Sequence, residues 1–156
     1  MPYLIDGHNL IPHIPGITLK DLEDEMALIH LLEDFARRER TRIEVYFDQA
    51  PPSMSGSRSF GTVRAHFISR GTTADRAIIT RLESMGSAAK NWTVVTSDRE
   101  ILVEARSQQS KTLSSSEFAS LLEAKKAKTL GGEGKRDDPK VSGEEVNYWL
   151  DQFERD

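Results

Sequence analysis

The sequence contains no cysteine. A disulfide scaffold, thiolate-ligated zinc, an iron–sulfur cluster and a cysteine nucleophile are excluded together. Long apolar runs are also missing, the longest spanning about half a dozen residues against the ~20 that a membrane-crossing helix needs. The opening MPYLID lacks the basic and then apolar pattern of a leader peptide. The chain reads as a soluble, cytoplasmic protein. It lacks a positive charge excess as well, with a formal net charge of -4. That charge is unevenly distributed: residues 129 to 156 carry eight acidic and four basic side chains, which leaves residues 1 to 128 balanced at 17 of each sign. If several acids of this body gather at one metal site, the surface that remains is positive, so a polyanionic partner stays open.

What the chain does have is room for one domain and an appendage in its 156 residues. Tyr3 to Ile5 reads as a buried strand that breaks into a loop at Asp6-Gly7-His8-Asn9. Between Leu19 and Arg40, Leu22, Met26, Ile29, Leu32 and Phe35 recur at helical spacing, with acids early and arginines late as the helix dipole favours. Ile43 to Phe47 is a second strand closed by Asp48, and Pro51 to Gly61 is rich in Ser, Gly and Pro and reads as loop. Val63 to Ile68 is a third strand. Thr73 caps a helix that Gly86 stops, Trp92 to Val95 is a fourth strand, and Arg99 to Arg106 a short helix. Lys111 to Leu113 is a fifth strand and Ser116 to Lys128 a helix. This alternation predicts an α/β fold with a mostly parallel sheet over residues 1–128. Residues 129–141, centred on GGEGKRDDP, have the composition of a flexible linker. Ser142 with Glu145 then forms a capping-box pattern for an amphipathic helix over 142–156 carrying Val146, Trp149, Leu150 and Phe153.

Asp6, Asp48 and Asp98 each follow a strand, and Asp75 opens a helix just beyond another. In a parallel sheet these positions share one edge, where open α/β folds bind their ligands. Four converging carboxylates repel one another unless a cation joins them, and hard oxygen donors suit Mg²⁺ or Mn²⁺. Such ions activate water and stabilise a phosphodiester under attack. For Asp75 to reach that edge through the short Arg70–Ala74 segment, the strand from Val63 must run parallel to the one ending at Asp48, with Gln49 to Thr62 as the crossover. Arg58, Arg70, Arg76 and Arg99 lie in or beside the acid-bearing loops, and guanidinium groups suit bidentate phosphate contact. Arg37, Arg38, Arg40 and Arg42 read instead as a solvated helix end. His8, His13, His30 and His66 share no metal-ligand spacing, and Ser97 has neither a Gly-flanked elbow nor a downstream histidine base.

LIDGHNLI (Leu4 to Ile11), VYFDQAPP (Val45 to Pro52), FISRGTTADRAI (Phe67 to Ile78) and VVTSDREI (Val94 to Ile101) together resemble the NYN domains of the PIN-like nuclease superfamily, in particular the YacP-like branch. The resemblance covers about residues 2 to 126. It implies a PIN-like, three-layer fold and a metal-dependent endoribonuclease in which Asp6, Asp75 and Asp98 are acidic ligands, Asp48 is a fourth, and Asn9 orients the first aspartate or a metal-bound water. The implied cofactor is Mg²⁺ or Mn²⁺ and the implied partner is RNA, structured or ribosome-associated, with no membrane role. Position 8 departs from the branch, where tyrosine is more common. A non-catalytic RNA- or ribosome-binding protein on the same fold is the alternative, separated by whether an Asp98→Asn variant loses metal-dependent cleavage. An aspartate-nucleophile phosphatase would need a second aspartate where His8 stands.

Overall fold

The computed structural model describes residues 1–17 and 22–134. The part beyond Gly134 of the linker expected over 129–141, and the helix expected over 142–156 with Ser142, Glu145 and Trp149, lie outside the described residues. The first strand, β1 (Tyr3–Asp6), passes directly into one helical turn, α1 (Gly7–Leu10), and a 3-10 turn at Ile11–His13. Then come α2 (Leu22–Glu39), β2 (Ile43–Ala50), a 3-10 turn at Pro52–Met54, β3 (Gly56–Phe60) and β4 (Val63–Ser69). The rest is α3 (Ala74–Met85), a 3-10 segment (Gly86–Asn91), β5 (Thr93–Val95), α4 (Arg99–Ser107), β6 (Lys111–Leu113) and α5 (Ser115–Gly134).

The six strands form one sheet in the order β3-β4-β2-β1-β5-β6. Every pairing is parallel except that of β3 with β4. The expected parallel pairing of β2 with β4 is present, so Asp48 and the start of α3 share an edge. The segment expected to be loop between Pro51 and Gly61 is partly strand. β3 returns the chain from the top of the sheet, paired antiparallel to β4, and Gly61 at φ 63° turns it into β4. Its sequence, GSRSF, has low strand propensity, but the ladder with β4 supplies the backbone hydrogen bonds that an extended crossover would leave to water. α5 continues to Gly134, past the expected end at Lys128 and into the glycine-rich stretch read as linker. Extending an established helix is inexpensive even through glycines, which cost about 1 kcal/mol each relative to alanine.

Strand alternation sends successive side chains to opposite faces and so builds three layers. Ile5, Val45, Phe47, Ala65, Phe67 and Val95 pack with Leu28, Leu32 and Phe35 of α2 and Phe118 of α5. Leu4, Tyr46 and Val94 pack on the other face with Ile78 and Leu82 of α3 and Ile101 and Ala105 of α4. Tyr3, Phe35 and Phe118 meet with ring centroids 5.2–5.7 Å apart, in the tilted and edge geometries aromatic pairs prefer. No described helix is long and apolar enough to cross a membrane.

Candidate active site

The same alternation aims the acids. Asp6 has the parity of Leu4 and Asp48 that of Tyr46, so both fall on the α3/α4 face at the C-terminal ends of neighbouring strands. Thr96, one residue past β5, lies beside Asp6 and donates its hydroxyl to Asp6 Oδ2 at 3.3 Å. Thr96 Oγ1 also accepts the amide of Asp98 at 3.0 Å. Asp98 caps α4 by accepting from the Ile101 amide at 3.2 Å, and Asp75 sits in the first turn of α3, where Thr73 caps by accepting from the Arg76 amide.

One oxygen from each of Asp75, Asp98 and Glu100 lies within 4.8 Å of the others. Two of these residues were expected together from their sequence positions. Glu100 was not: it stands two residues after Asp98 in the first turn of the same helix, a position that by itself suits a surface acid as well. Asp6 and Asp48 are not within that triad's spacing but belong to its electrostatic neighbourhood. Burial first, and then the charges of Asp48 and Asp75, push the Asp6 carboxyl up to about 6, against the Thr96 hydrogen bond that lowers it. Acids gathered at the end of a sheet, with Asp48 and Asp75 repelling Asp6, are an arrangement that a divalent cation relieves.

Asp48 is carried on a β-bulge. Between the pairs Phe47↔Phe67 and Ala50↔Ser69, β2 has one residue more than β4, and Gln49 takes φ 64°. Both carboxylate oxygens of Asp48 are engaged: Oδ1 with His8 Nδ1 at 3.0 Å, and Oδ2 with the amide of Ala74, the first residue of α3, at 3.2 Å. The other ring nitrogen of His8, Nε2, meets Glu25 of α2. Burial opposes a charge on His8, but the hydrogen bonds and charges of Glu25 and Asp48 prevail and raise its pKa. The loop of α1 thus does more than sequence spacing indicated, because the partners of His8 lie 17 and 40 residues away. Asn9 holds the architecture together: its Oδ1 accepts from the Ser97 amide at 2.8 Å and from the Ser115 hydroxyl, which joins the Asp98 loop to the start of α5. Ser97 Oγ accepts the Ser115 amide at 3.2 Å and so holds that loop.

Arg76 and Arg99 line one groove between α3 and α4, with Ile79, Glu83, Glu100, Val103 and Glu104. Neither arginine enters an ion pair among the described residues, and Val103 is unusually exposed for its type, at 62%. Arg70 is exposed in the turn before α3. Arg58 lies apart on the edge hairpin, its guanidinium 5.2 Å from the centre of the Phe67 ring.

The sequence matches the YacP-like NYN domain family over residues 3–152. The chain belongs to that family. Its fold is accordingly the PIN-like nuclease fold, and two solved structures agree in architecture. Rae1 (YacP) from Bacillus subtilis is 22% identical, with a TM-score of 0.64 over 99% of this chain and 95% of that one. A tryptophan-to-leucine mutant of the same protein is 22% identical, with a TM-score of 0.62 over 95% of this chain and 91% of that one. No curated protein sequence is significantly similar. The family match extends past the segment that carried the motif resemblance and into the C-terminal residues.

Proposed function

We propose that this NYN domain is a metal-dependent endoribonuclease that hydrolyses RNA phosphodiester bonds at the edge formed by Asp6, Asp75, Asp98 and Glu100. The observation carrying the reading is the convergence of Asp75, Asp98 and Glu100 from two helices at the ligand-binding edge of a nuclease fold. Their donors are all carboxylate oxygens, partly or fully exposed, and fit Mg²⁺ or Mn²⁺, which favour oxygen ligands and keep waters. Such an ion supplies Lewis acidity, lowering the pKa of a water and offsetting charge on the phosphate oxygens.

The residues divide the remaining work. Asp75, Asp98 and Glu100 would hold the ion, and Asp6 stands by them at the end of β1, where burial and then the charges of Asp48 and Asp75 raise its pKa and a nearby cation would favour its charged form. Arg76 and Arg99, unpaired in the adjoining groove, bind phosphates flanking the scissile bond, with Arg70 and Arg58 as outlying contacts. Asn9, Ser97 and Ser115 keep the Asp98 loop rigid. Structured or ribosome-associated RNA in the cytoplasm is the substrate class that the family resemblance favours.

The test is incubation of purified protein with total RNA and ribosomes, with Mn²⁺ or with chelator, followed by mapping of new 5′ ends. Discrete Mn²⁺-dependent ends that vanish in Asp98→Asn support the reading. Binding without new ends would replace it with the non-catalytic alternative.

A further inference from the structure

We propose that His8 is a positioning residue for the acid cluster, acting through Asp48 on the N-terminus of α3. The inference rests on the nuclease reading in that the cluster is taken as the metal site, and it assigns His8 a role that the family's motif does not supply.

The contacts form a continuous chain across four elements. Glu25 of α2 meets His8 Nε2, His8 Nδ1 meets Asp48 Oδ1 at 3.0 Å, and Asp48 Oδ2 accepts the Ala74 amide at 3.2 Å. Ala74 is 2% exposed, and its neighbour in the chain is Asp75. The first amides of a helix have no partner within it, so the carboxylate that satisfies one also fixes where the helix begins. Asp48 by itself could point elsewhere, being carried on a bulge. His8 removes that freedom by occupying its second oxygen.

His8 is itself held on three sides. Its ring packs against Phe47 with centroids 5.4 Å apart, and each nitrogen is engaged by a carboxylate from a different element. An imidazole with both nitrogens engaged offers substrate nothing, so its effect on the reaction must pass through Asp48. The destination matters because Asp75 has to meet Asp98 and Glu100, which ride on α4. Displacing one ligand by about 1 Å is enough to cost on the order of a hundredfold in rate.

Two substitutions separate the nitrogens. The amide of His8→Asn falls where Nδ1 stands and keeps a donor for Asp48, whereas that of His8→Gln falls where Nε2 stands and keeps the donor for Glu25. In the full chain, His8→Asn should hold Mn²⁺ affinity and kcat within about threefold of wild type, and His8→Gln should lose about tenfold or more in both with KM little changed. Amide hydrogen exchange at Ala74 and Asp75 should quicken in His8→Gln and not in His8→Asn, a readout that needs neither metal nor RNA. A purely structural histidine would give two variants that change together in step with their melting temperatures. Equal exchange at Ala74 in both variants overturns the proposal whether or not the protein cuts RNA. Wild-type protein that binds no Mn²⁺ while the exchange difference persists removes the nuclease reading and leaves the positioning link standing.

Discussion

Thr96 donates its hydroxyl to the Asp6 carboxylate across the sheet at 3.3 Å, joining residues 90 apart in the chain. This is the one buried side-chain partner Asp6 has among the described hydrogen bonds, and it is outweighed. Burial, with Asp48 and Asp75 adding repulsion, raises the Asp6 pKa to about 6 from 3.8. Between those values the folded protein binds more protons than the unfolded chain, so stability falls as pH rises through the window, and above it the metal-free protein forgoes about 3 kcal/mol. His8, with a raised pKa, acts in the same direction at higher pH: its stabilisation is complete below its unfolded pKa and is lost as pH rises through the folded one. Metal-free thermal melts from pH 5 to 7.5 should therefore decline, and Asp6→Asn should melt higher than wild type at pH 7.5 with a shallower decline. Parallel profiles for the two proteins would contradict this.

Gly7 begins α1 beneath Phe47, and a methyl added there would overlap the Phe47 ring. Gly7→Ala should cost about 1–3 kcal/mol in urea unfolding, as overpacking does in close-packed interiors. It should also weaken Mn²⁺ binding, because Asp6 and His8 flank the displaced residue. Unchanged stability would show that α1 moves aside freely.

On the opposite sheet face, that of Tyr46 and α3, Glu44 accepts from Arg81 Nε at 2.9 Å and Nη2 at 2.8 Å, and from Tyr46 Oη at 3.1 Å. Burial works against the Glu44 charge, but the His66 ring, its Nε2 3.7 Å from Glu44 Oε1, and the hydrogen bonds and charge of Arg81 prevail and hold its pKa at about 2. The stability this provides is present above the ordinary glutamate pKa and lost as pH falls towards 2. Arg81→Ala leaves Glu44 half-buried without its principal partner and should cost about 2–4 kcal/mol at neutral pH. The Arg81 guanidinium also lies 5.7 Å from the Trp92 ring centre, so the tryptophan emission of the folded variant should shift. A variant as stable as wild type would contradict the pairing.

The placement of the candidate acids at one edge was legible in the sequence because they follow the strands that carry them. Asp6 and Asp48 end apolar runs, and Asp98 and Asp75 open helices just beyond β5 and β4. β3 escaped because glycine, serine and arginine carry no strand signal of their own, and its pairing with β4 is a tertiary fact. Glu100 went unnoticed since nothing in a short helix marks a second acid as more than a surface residue. His8 could be read only with its partners, and neither Glu25 nor Asp48 is near it in the chain.

The α3/α4 groove offers a test of RNA binding apart from cleavage. In chelator, Arg76→Ala and Arg99→Ala should each weaken RNA binding across sequences and lower its salt slope by about one unit. Fold stability should scarcely change, since neither arginine is ion-paired among the described residues. An unaltered slope in both variants would place the RNA path elsewhere.

Asp75, Asp98 and Glu100 are proposed to hold one divalent ion between α3 and α4. Calorimetric titration of the metal-free protein with Mn²⁺ measures this with no substrate present. Wild type should bind with saturable heat, and Glu100→Gln and Asp75→Asn should each lose about tenfold or more in affinity while staying folded. Wild-type heat that both variants reproduce, or no saturable heat at all, would contradict the account.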